Sequence, residues 1–397
     1  MRQRRRSWRK PPVVITSPPE PDLAAFTGVK LLRMVATALV DLSRRSRLPD
    51  PIYSDKVQKA YNHLVVQCLR HQVDPPPSVP DMARWAATRP LAEWPLDLPP
   101  DAESLDEFLV DPVTKVPTQR CYEWEVAGPD AAAELFENEI IRQVFVQCET
   151  AKSPQAYTAF RYLLVNRPVL TGLEMASLIG ETPALGIVLE TVKQCYEPAP
   201  AAFRGHDGLF ATCARCKCLL KPLGAGWRCE LDRCRRETYA AVEKHIDDRM
   251  TSGLLQLRAP LRLFITGPGL AEVDLEEALK KKGLVAEMWP GCDAYDLRIT
   301  LPNRQVWAID VKDRANPALL GYGATAFRRE PRYDTAFLVV PQYRFDDRED
   351  YKRVFDHYCP PDVKRQVTLM SDNAFLRHLV RTLKRLPNST SNGDARA

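Results

Sequence analysis

Four of the five cysteines between residues 213 and 234 place the tightest constraint on how this chain can fold. Cys213 and Cys216 form a CxxC pair, and Cys229 and Cys234 form a second pair after twelve intervening residues that include two glycines. Two short-spaced cysteine pairs joined by a turn are typical of small zinc ribbons and knuckles, in which four thiolates hold Zn²⁺ tetrahedrally. Such a closed site has no position for water or substrate. We therefore expect a structural zinc ion in a module spanning 206–240.

Cys218 leaves one ambiguity, because it can replace Cys216 as a ligand; the commoner 213/216 spacing favours Cys218 as a bystander. Six of the eleven cysteines are scattered outside this cluster, which indicates small core residues in a reducing cytoplasm rather than disulfides. Basic residues surround the cluster, which predicts either a phosphate contact or an ordinary solvated face. They are Arg215, Lys217, Lys221, Arg228, Arg233, Arg235 and Arg236.

Residues 285–311 have the pattern of three short strands in succession. Apolar or alternating runs cover 285–289, 295–301 and 306–311, and Pro302-Asn303 predicts a turn between the last two. Asp310 and Lys312 lie two residues apart on the third strand, so their side chains share one face. The hairpin brings Asp296, at the start of the second strand, beside them. Two carboxylates and an ammonium on one face suit metal-dependent hydrolysis of a phosphodiester.

These residue types suggest separate roles in such a reaction. We expect Asp296 and Asp310 to bind Mg²⁺ or Mn²⁺ together with the carbonyl of Val311. Lys312 would orient or help to deprotonate the attacking water, or stabilise the negative transition state. Asp293 is a competing first acid, but it falls in the loop that precedes the strand.

The elements around the three strands complete an αβββαβ order over 255–388. A helix at about 270–282 precedes the strands, and Glu272 lies on its inward stripe, which makes Glu272 a further candidate catalytic acid. A helix from Pro317 to about 329 and a strand at 336–340 follow the third strand. A last helix is predicted at 373–386, followed by a disordered tail at 389–397.

The N-terminal half is predicted to be mainly helical. A basic tail covers 1–22, and apolar residues at helical spacing predict helices from about residue 23 and at 54–71. Eight prolines between Pro75 and Pro100 oppose a long helix and predict an extended connector within a region spanning 23–130. Trp85 and Trp94 indicate that this connector packs onto a surface.

A second helical domain is predicted at 131–205. It contains helices at 131–148 and 155–165, and a capping box formed by Thr171 and Glu174 starts a short helix before another at 184–196. This outline is similar to a helix-turn-helix. Because residues 184–196 offer few side chains suited to reading bases, we interpret the pair as a structural helical hairpin.

Composition agrees with a soluble protein of several domains. The 397 residues are 45% apolar and 27% charged, and no uncharged apolar stretch of about 18 residues suggests a membrane partner. The cationic N-terminus is followed by prolines rather than an apolar region, so we expect a cytoplasmic protein. The net charge of +5 permits nucleic-acid binding without demonstrating it.

Two parts of the sequence resemble a known family. The DAYDLRI and WAIDVKDRANP segments resemble the PD-(D/E)xK restriction-endonuclease-like domain that is encoded beside prokaryotic Argonaute-like proteins of the PIWI-RE group. AYTAFRYLLVNRPVLT and the cysteine cluster after it resemble the domain that such nucleases carry on their N-terminal side. The likeness covers about 130–390, and Asp296, Asp310 and Lys312 fit the family's D…DxK pattern.

The resemblance implies a Mg²⁺-dependent endonuclease that cleaves foreign DNA in a defence module against mobile elements. A PIWI-RE protein and a DNA helicase would be its partners. The expected fold class is multidomain: a mainly α N-terminal region, a four-cysteine zinc ribbon or knuckle, and a C-terminal α/β PD-(D/E)xK domain. Two alternatives stay open, namely a non-catalytic zinc adaptor that binds nucleic acid and an RNA-directed nuclease.

Overall fold

The computed structural model describes residues 27–44, 52–98, 108–113, 115–126, 132–235 and 239–386. The expected tails at 1–22 and 389–397 lie outside these ranges. Helices dominate the N-terminal part of the described chain, as the apolar spacing predicted. They are α1 (Thr27–Arg44), α2 (Asp55–Arg70), α3 (Val79–Thr88), α4 (Gln119–Val126), α5 (Ala132–Thr150) and α6 (Pro154–Asn166).

The expected extended connector at 75–100 is wrong in part, because α3 lies inside it. Pro80 falls in the first turn of α3, where a helix needs no backbone N–H donor, and the other prolines lie outside the helix. Ser78 caps α3 by accepting the Asp81 N–H. Trp85 and Trp94 meet edge to face with ring centroids 6.0 Å apart, and Trp94 is buried.

The core of α1–α4 extends into the C-terminal part of the chain. Leu32, Leu64 and Trp124 are fully buried there, together with Ala318 and Val354 from the C-terminal region. The N-terminal helices therefore pack directly on the elements that follow the third strand of the predicted catalytic hairpin.

A small antiparallel sheet and two more helices follow α6. The sheet has the order β1-β7-β2, from β1 (Val169–Thr171), β7 (Leu254–Leu257) and β2 (Tyr196–Pro198), and the helices are α7 (Gly172–Glu181) and α8 (Leu189–Cys195). The capping box of Thr171 and Glu174 is confirmed. The continuous helix expected at 184–196 is wrong: Pro183–Val188 is a 3₁₀ segment, because Gly186 and two β-branched residues have low helix propensity.

The region between β2 and β7 contains short elements around the cysteines. They are β3 (Phe210–Cys213), which pairs with β6 (Val242–Ile246), the hairpin of β4 (Lys221–Leu223) and β5 (Gly226–Arg228), and the single turn α9 (Asp232–Arg235). Among the described helices no single one has the length and apolar composition to cross a bilayer, and only the sharply bent pair Gly172–Glu181 and Pro183–Cys195 meets that test jointly.

The C-terminal region is built on a five-stranded sheet of order β12-β11-β10-β9-β8. β8, β9 and β10 are antiparallel, whereas β10, β11 and β12 are parallel. The strands are β8 (Ala286–Met288), β9 (Leu297–Thr300), β10 (Val306–Val311), β11 (Thr335–Val340) and β12 (Val367–Ser371). The helical elements are α10 (Ala259–Leu261), α11 (Gly267–Lys280), the turn α12 (Pro290–Asp293), α13 (Pro317–Tyr322), α14 (Gln342–Asp347), α15 (Tyr351–Tyr358), α16 (Pro361–Lys364) and α17 (Asp372–Arg385).

The predicted αβββαβ order is present as α11, β8, β9, β10, α13 and β11. The helix expected from Pro317 to about 329 is wrong in length: α13 ends at Tyr322, because glycines at 321 and 323 disfavour its continuation. Residues 323–334 form a loop instead. β12 and α15 were not predicted.

The two faces of this sheet are covered by different helices. Ile309 and Val311 point to the face that packs on α11 and α17, and Leu338 points to the other face, which packs on α15 and α16. Asp310 pairs with Leu338 in the parallel register, and side chains alternate along a strand. Asp310 therefore points to the face covered by α15 and α16.

Candidate active site and metal centre

Four of the clustered cysteines converge in the structure. The sulfur atoms of Cys213, Cys216, Cys229 and Cys234 all lie within 4.8 Å of one another, and all four residues are buried. Tetrahedral zinc with Zn–S bonds of about 2.3 Å needs sulfurs about 3.8 Å apart, so this donor set fits such an ion. Cys218 is buried but stands outside the group, and its carbonyl accepts the Cys213 N–H at 2.9 Å. The cluster is a site that can bind a metal such as zinc.

The basic residues around the cysteines are largely committed to carboxylates. Asp111, which lies between α3 and α4, is 3.3 Å from Arg228 and 3.4 Å from Arg235. Arg233 pairs with Asp274 of α11 at 2.5 Å. The expected basic face is therefore in part a set of ion pairs between the cysteine region and its two neighbours, whereas Arg215 is exposed to solvent as one of the two expectations had it. Arg236 lies outside the described residues.

The acids and the lysine of the predicted hairpin lie together. The Lys312 Nζ is 2.9 Å from Asp310 Oδ1 and 3.7 Å from Asp296 Oδ2. Asp296 directly precedes β9, which begins at Leu297, and its Oδ2 accepts the Val311 N–H at 2.6 Å. This bond fixes the Asp296 carboxylate against the end of β10, so the hairpin and the strand alternation bring the three side chains to one point.

The electrostatics of this group follow from its burial. Burial raises the pKa of Asp296 well above its ordinary value, and the nearby Glu272 and Asp310 carboxylates add to the rise. Burial alone would lower the pKa of Lys312, but attraction by Asp296 and Asp310 outweighs it and raises that pKa. Burial therefore disfavours the ionised form of Asp296, and a cation bound beside it would favour that form.

Glu272 is buried, as its place on the inward stripe of α11 predicted, but its carboxylate meets other partners. Arg161 of α6 donates from Nη2 to both Glu272 oxygens at 3.1 and 3.2 Å, and Trp289 Nε1 donates to Oε2 at 2.5 Å. Within the described chain, no set of three carboxylates brings ligand atoms within 4.8 Å of one another. Asp296 and Asp310 are therefore the two acids that share Lys312, and Glu272 faces Arg161.

Arg161 is a site residue that the sequence interpretation missed. Its Nη1 is 2.8 Å from Asp293 Oδ2, which also accepts the Tyr157 hydroxyl at 2.9 Å. One buried guanidinium thus joins two acids that flank Asp296. A signal was available: Arg161 lies one helical turn after the apolar Tyr157 on α6, and a buried arginine needs an acidic partner.

The segment between β8 and β9 has an unusual backbone conformation, which positions Trp289 and Asp293 in the site. Trp289, Gly291, Cys292 and Asp293 have φ values of 47°, 60°, 52° and 75°, in the left-handed region that residues with a side chain seldom adopt. The Trp289 N–H donates to the Asp296 carbonyl at 2.7 Å. This conformation persists because surrounding contacts enforce it, and it turns Trp289 and Asp293 toward Arg161.

Glu123 of α4 holds the chain that leaves the site. Its carboxylate oxygens accept the backbone N–H groups of Ala315 and Asn316, each at 2.9 Å. Asn316 in turn caps α13 by accepting the Ala318 and Leu319 N–H groups. An acid from the N-terminal helices therefore fixes the turn that begins three residues after Lys312.

A cavity of about 550 Å³ opens beside the acids and the lysine. Asp293, Asp310 and Lys312 line one side of it, and Glu123 and Arg314 also reach it. Asp296 does not line the cavity. The carboxylates that line it are those of Glu123, Asp293 and Asp310.

Comparisons with known proteins cover both parts of this site. A family model described as "pPIWI_RE three-gene island domain Y" matches residues 31–171, and one described as "REase associating with pPIWI_RE" matches residues 269–387. Neither a curated protein nor a solved structure matched the chain. Asp296, Asp310 and Lys312 lie within the second match, and Glu123 and Arg161 lie within the first.

Proposed function

Because this chain is a restriction-endonuclease-like protein linked to pPIWI_RE modules, we propose that it hydrolyses phosphodiester bonds of DNA in a metal-dependent reaction. A REase-associated domain in such a protein suggests a nuclease-like role in defence. The proposal goes further and assigns residues 255–388 to a PD-(D/E)xK fold, with Asp296, Asp310 and Lys312 as its catalytic group.

One observation carries this assignment. The Lys312 ammonium is within 4 Å of both Asp296 and Asp310, and Asp310 and Lys312 line an open cavity. Structural ion pairs are common, but two acids that share a lysine, with one of the acids and the lysine lining a cavity in a REase-matched region, have the placement that phosphodiester hydrolysis needs.

Asp296 and Asp310 would hold Mg²⁺ or Mn²⁺. Two carboxylates suit a small hard cation that keeps several waters and accepts phosphate oxygens as its remaining ligands. When bound, the ion neutralises charge on the phosphate and supplies an activated water. Lys312 places a positive charge beside that phosphate, which stabilises the transition state more than the ground state. Glu272, which is buried against Arg161, would influence the geometry and the net charge of the group formed by Asp296, Asp310 and Lys312.

The four cysteines would bind a structural zinc ion. All four sulfurs are used within the cluster, and the described structure surrounds them with protein, so such an ion has no open coordination position. Its role would be to hold residues 206–240 between the N-terminal helices and α11, through Asp111 and Asp274. The proposed domain division also places a helical region with its proline-rich connector at 23–130 and a second helical domain at 131–205.

The biological setting is proposed on the matched families. The chain would act with a PIWI-RE Argonaute-like protein and a DNA helicase against mobile elements. The linkage to PIWI-RE follows from both matched models, whereas the helicase and the DNA substrate are proposals.

Cleavage of DNA by the purified chain, with and without Mg²⁺, tests the proposal. We expect Asp310→Asn and Lys312→Met to reduce the cleavage rate at least about 100-fold. Lys352→Met and Asp356→Asn are matched controls, because this exposed pair, 2.6 Å apart, resembles the site pair in chemistry but not in burial. Both controls should cleave at the wild-type rate.

Three results would discriminate the alternatives. Equal cutting by wild type, Asp310→Asn and Lys312→Met would refute the catalytic assignment. DNA binding without Mg²⁺-dependent cutting, with the PIWI-RE partner added, would favour the zinc adaptor. Cleavage of an RNA of the same sequence in preference to DNA would identify an RNA-directed nuclease.

A further inference from the structure

The cavity beside Asp310 and Lys312 is larger than hydrolysis of a phosphodiester requires. Its volume of about 550 Å³ falls within the range of about 300–1,000 Å³ that is typical of sites for organic ligands. A metal ion and one phosphate would occupy only the side lined by Asp310 and Lys312. The rest of the space belongs to another part of the substrate.

The cavity also has an apolar and aromatic lining. It is formed by Leu319 and Tyr322 of α13, Phe327 of the loop after α13, and Phe355 of α15. Tyr322 and Phe327 are only partly buried, so their rings are accessible from the cavity. A cavity with both a charged and an apolar, aromatic lining suits a nucleotide. The base can stack on the aromatic rings, and the phosphate binds to cations.

Cations are placed to receive the neighbouring phosphates. Arg314 and Arg328 both line the cavity, and within the described ranges neither has a carboxylate partner. This sets them apart from Arg161, Arg233 and Arg235, which are paired with acids. Unpaired arginines beside an aromatic wall suit a nucleic-acid backbone that passes over the cavity.

Building on the nuclease function proposed above, we propose that this cavity binds one unstacked nucleobase of the DNA strand whose phosphate lies at Asp310 and Lys312. A base inside an intact duplex is stacked and paired, and must be turned out of the helix to enter such a space. A nucleotide that is already unpaired enters without that cost. The preferred substrate is therefore DNA with an unpaired nucleotide at the site of cutting.

The test measures binding of the full chain to three DNA probes of one sequence, by fluorescence anisotropy in buffer without added Mg²⁺ or Mn²⁺ and without a chelator, so that a structural zinc ion is kept. The probes are a perfect duplex, a duplex with a two-nucleotide bulge, and a single strand. Leaving out Mg²⁺ and Mn²⁺ prevents metal-dependent cleavage, so the result does not depend on whether the nuclease proposal holds. We expect the bulged duplex to bind roughly tenfold more tightly than the perfect duplex, the scale of one base stacking on an aromatic side chain.

Two variants address the cavity itself. Thr325 is exposed at its edge, so Thr325→Trp fills the space without disturbing the core, and Phe327→Ala removes an aromatic surface. Both should reduce the preference for the bulge to less than about threefold. Thr88→Trp is the matched control, because Thr88 is exposed on α3 and does not line the cavity. It should retain the full preference.

Each outcome bears on the inference. Equal binding of bulged and perfect duplexes by the wild type would overturn it, as would absence of binding to all three probes. A preference that survives in both Thr325→Trp and Phe327→Ala would also overturn it, because the unpaired base would then be bound elsewhere. A cavity-dependent preference without cleavage in Mg²⁺, also with the PIWI-RE partner added, would support this inference and refute the nuclease proposal alone.

Discussion

Replacing Arg161 by methionine should destabilise the folded chain, because it removes the cationic partner of two acids. The Arg161 side chain is 8% exposed, and it pairs with Glu272 at 3.1 Å and Asp293 at 2.8 Å, whose side chains are 4% and 22% exposed. Removing one partner of a buried ion pair costs about 3–5 kcal/mol, because it leaves an uncompensated charge. Asp293 can recover some hydration and Glu272 can take up a proton. We therefore expect the lower end, about 3 kcal/mol.

The destabilisation should depend on pH with a defined sign. Burial already raises the pKa of Glu272, and loss of Arg161 raises it further. A carboxyl group with a raised pKa binds more protons in the folded state, so it destabilises the fold above its unfolded pKa of about 4.3. That cost is relieved as the pH falls through the folded pKa. The deficit of Arg161→Met should be larger at pH 8 than at pH 5.

Thermal unfolding of the full chain at the two pH values measures this effect. At pH 8 we expect the midpoint of Arg161→Met to fall by at least about 5 °C. Adding Glu272→Gln should restore part of the loss, because it removes the buried charge. Arg142→Met is the control: the Arg142 and Glu139 side chains are 70% and 59% exposed, and such a pair contributes about 1 kcal/mol or less. An Arg161→Met midpoint equal to that of the control would refute the reasoning.

Two further predictions concern elements that support the site. Cys229→Ser should reduce bound zinc from about one ion per chain to a small fraction, measured by elemental analysis, and lower the thermal midpoint; full zinc occupancy in this variant would contradict the proposed ligand set. Glu123→Ala leaves the N–H groups of Ala315 and Asn316 without their acceptor, so it should reduce the free energy of unfolding by about 3 kcal/mol, whereas Glu123→Gln, which keeps an acceptor oxygen, should lose less.

Local sequence patterns predicted most of the secondary structure and the meeting of Asp310 with Lys312. The two-residue spacing on β10 and the turn at Pro302-Asn303 depend only on strand geometry, which the sequence encodes locally. The cysteine set followed from ligand spacing in the same way. The helix boundaries that were predicted wrongly are those of α3, α13 and the 3₁₀ segment before α8. Single prolines and glycines determine how far each of these helices extends.

Contacts between segments that are far apart in the sequence cannot be predicted from local sequence patterns. Arg161 precedes Glu272 by 111 residues and Glu123 precedes Asn316 by 193, and no periodicity within one element reports such pairs. Pairing of an acid with a base also has many equally plausible choices in a chain with 56 basic and 51 acidic residues. The tertiary fold alone selects among them.

The two matched families therefore share one physical site. The hydrophobic core that contains Phe160 and Leu164 of α6 also contains Leu275, Ile309 and Phe375 of the C-terminal region. Close packing explains this continuity: a Cβ on Gly269 of α11 would lie 2.3 Å from a methyl carbon of Val165, so α6 and α11 approach as only glycine allows.

Ion pairs and hydrogen bonds, like the hydrophobic core, connect the regions that the two family models match. Arg161 neutralises acids of the C-terminal region, and Glu123 fixes the turn after Lys312. A REase-like region without these helices would lose the Arg161 partner of Glu272 and would expose the apolar residues that α6 buries. The boundary between the two matches in the sequence is thus not a boundary between independent structures, and α4 and α6 help to position the candidate active site.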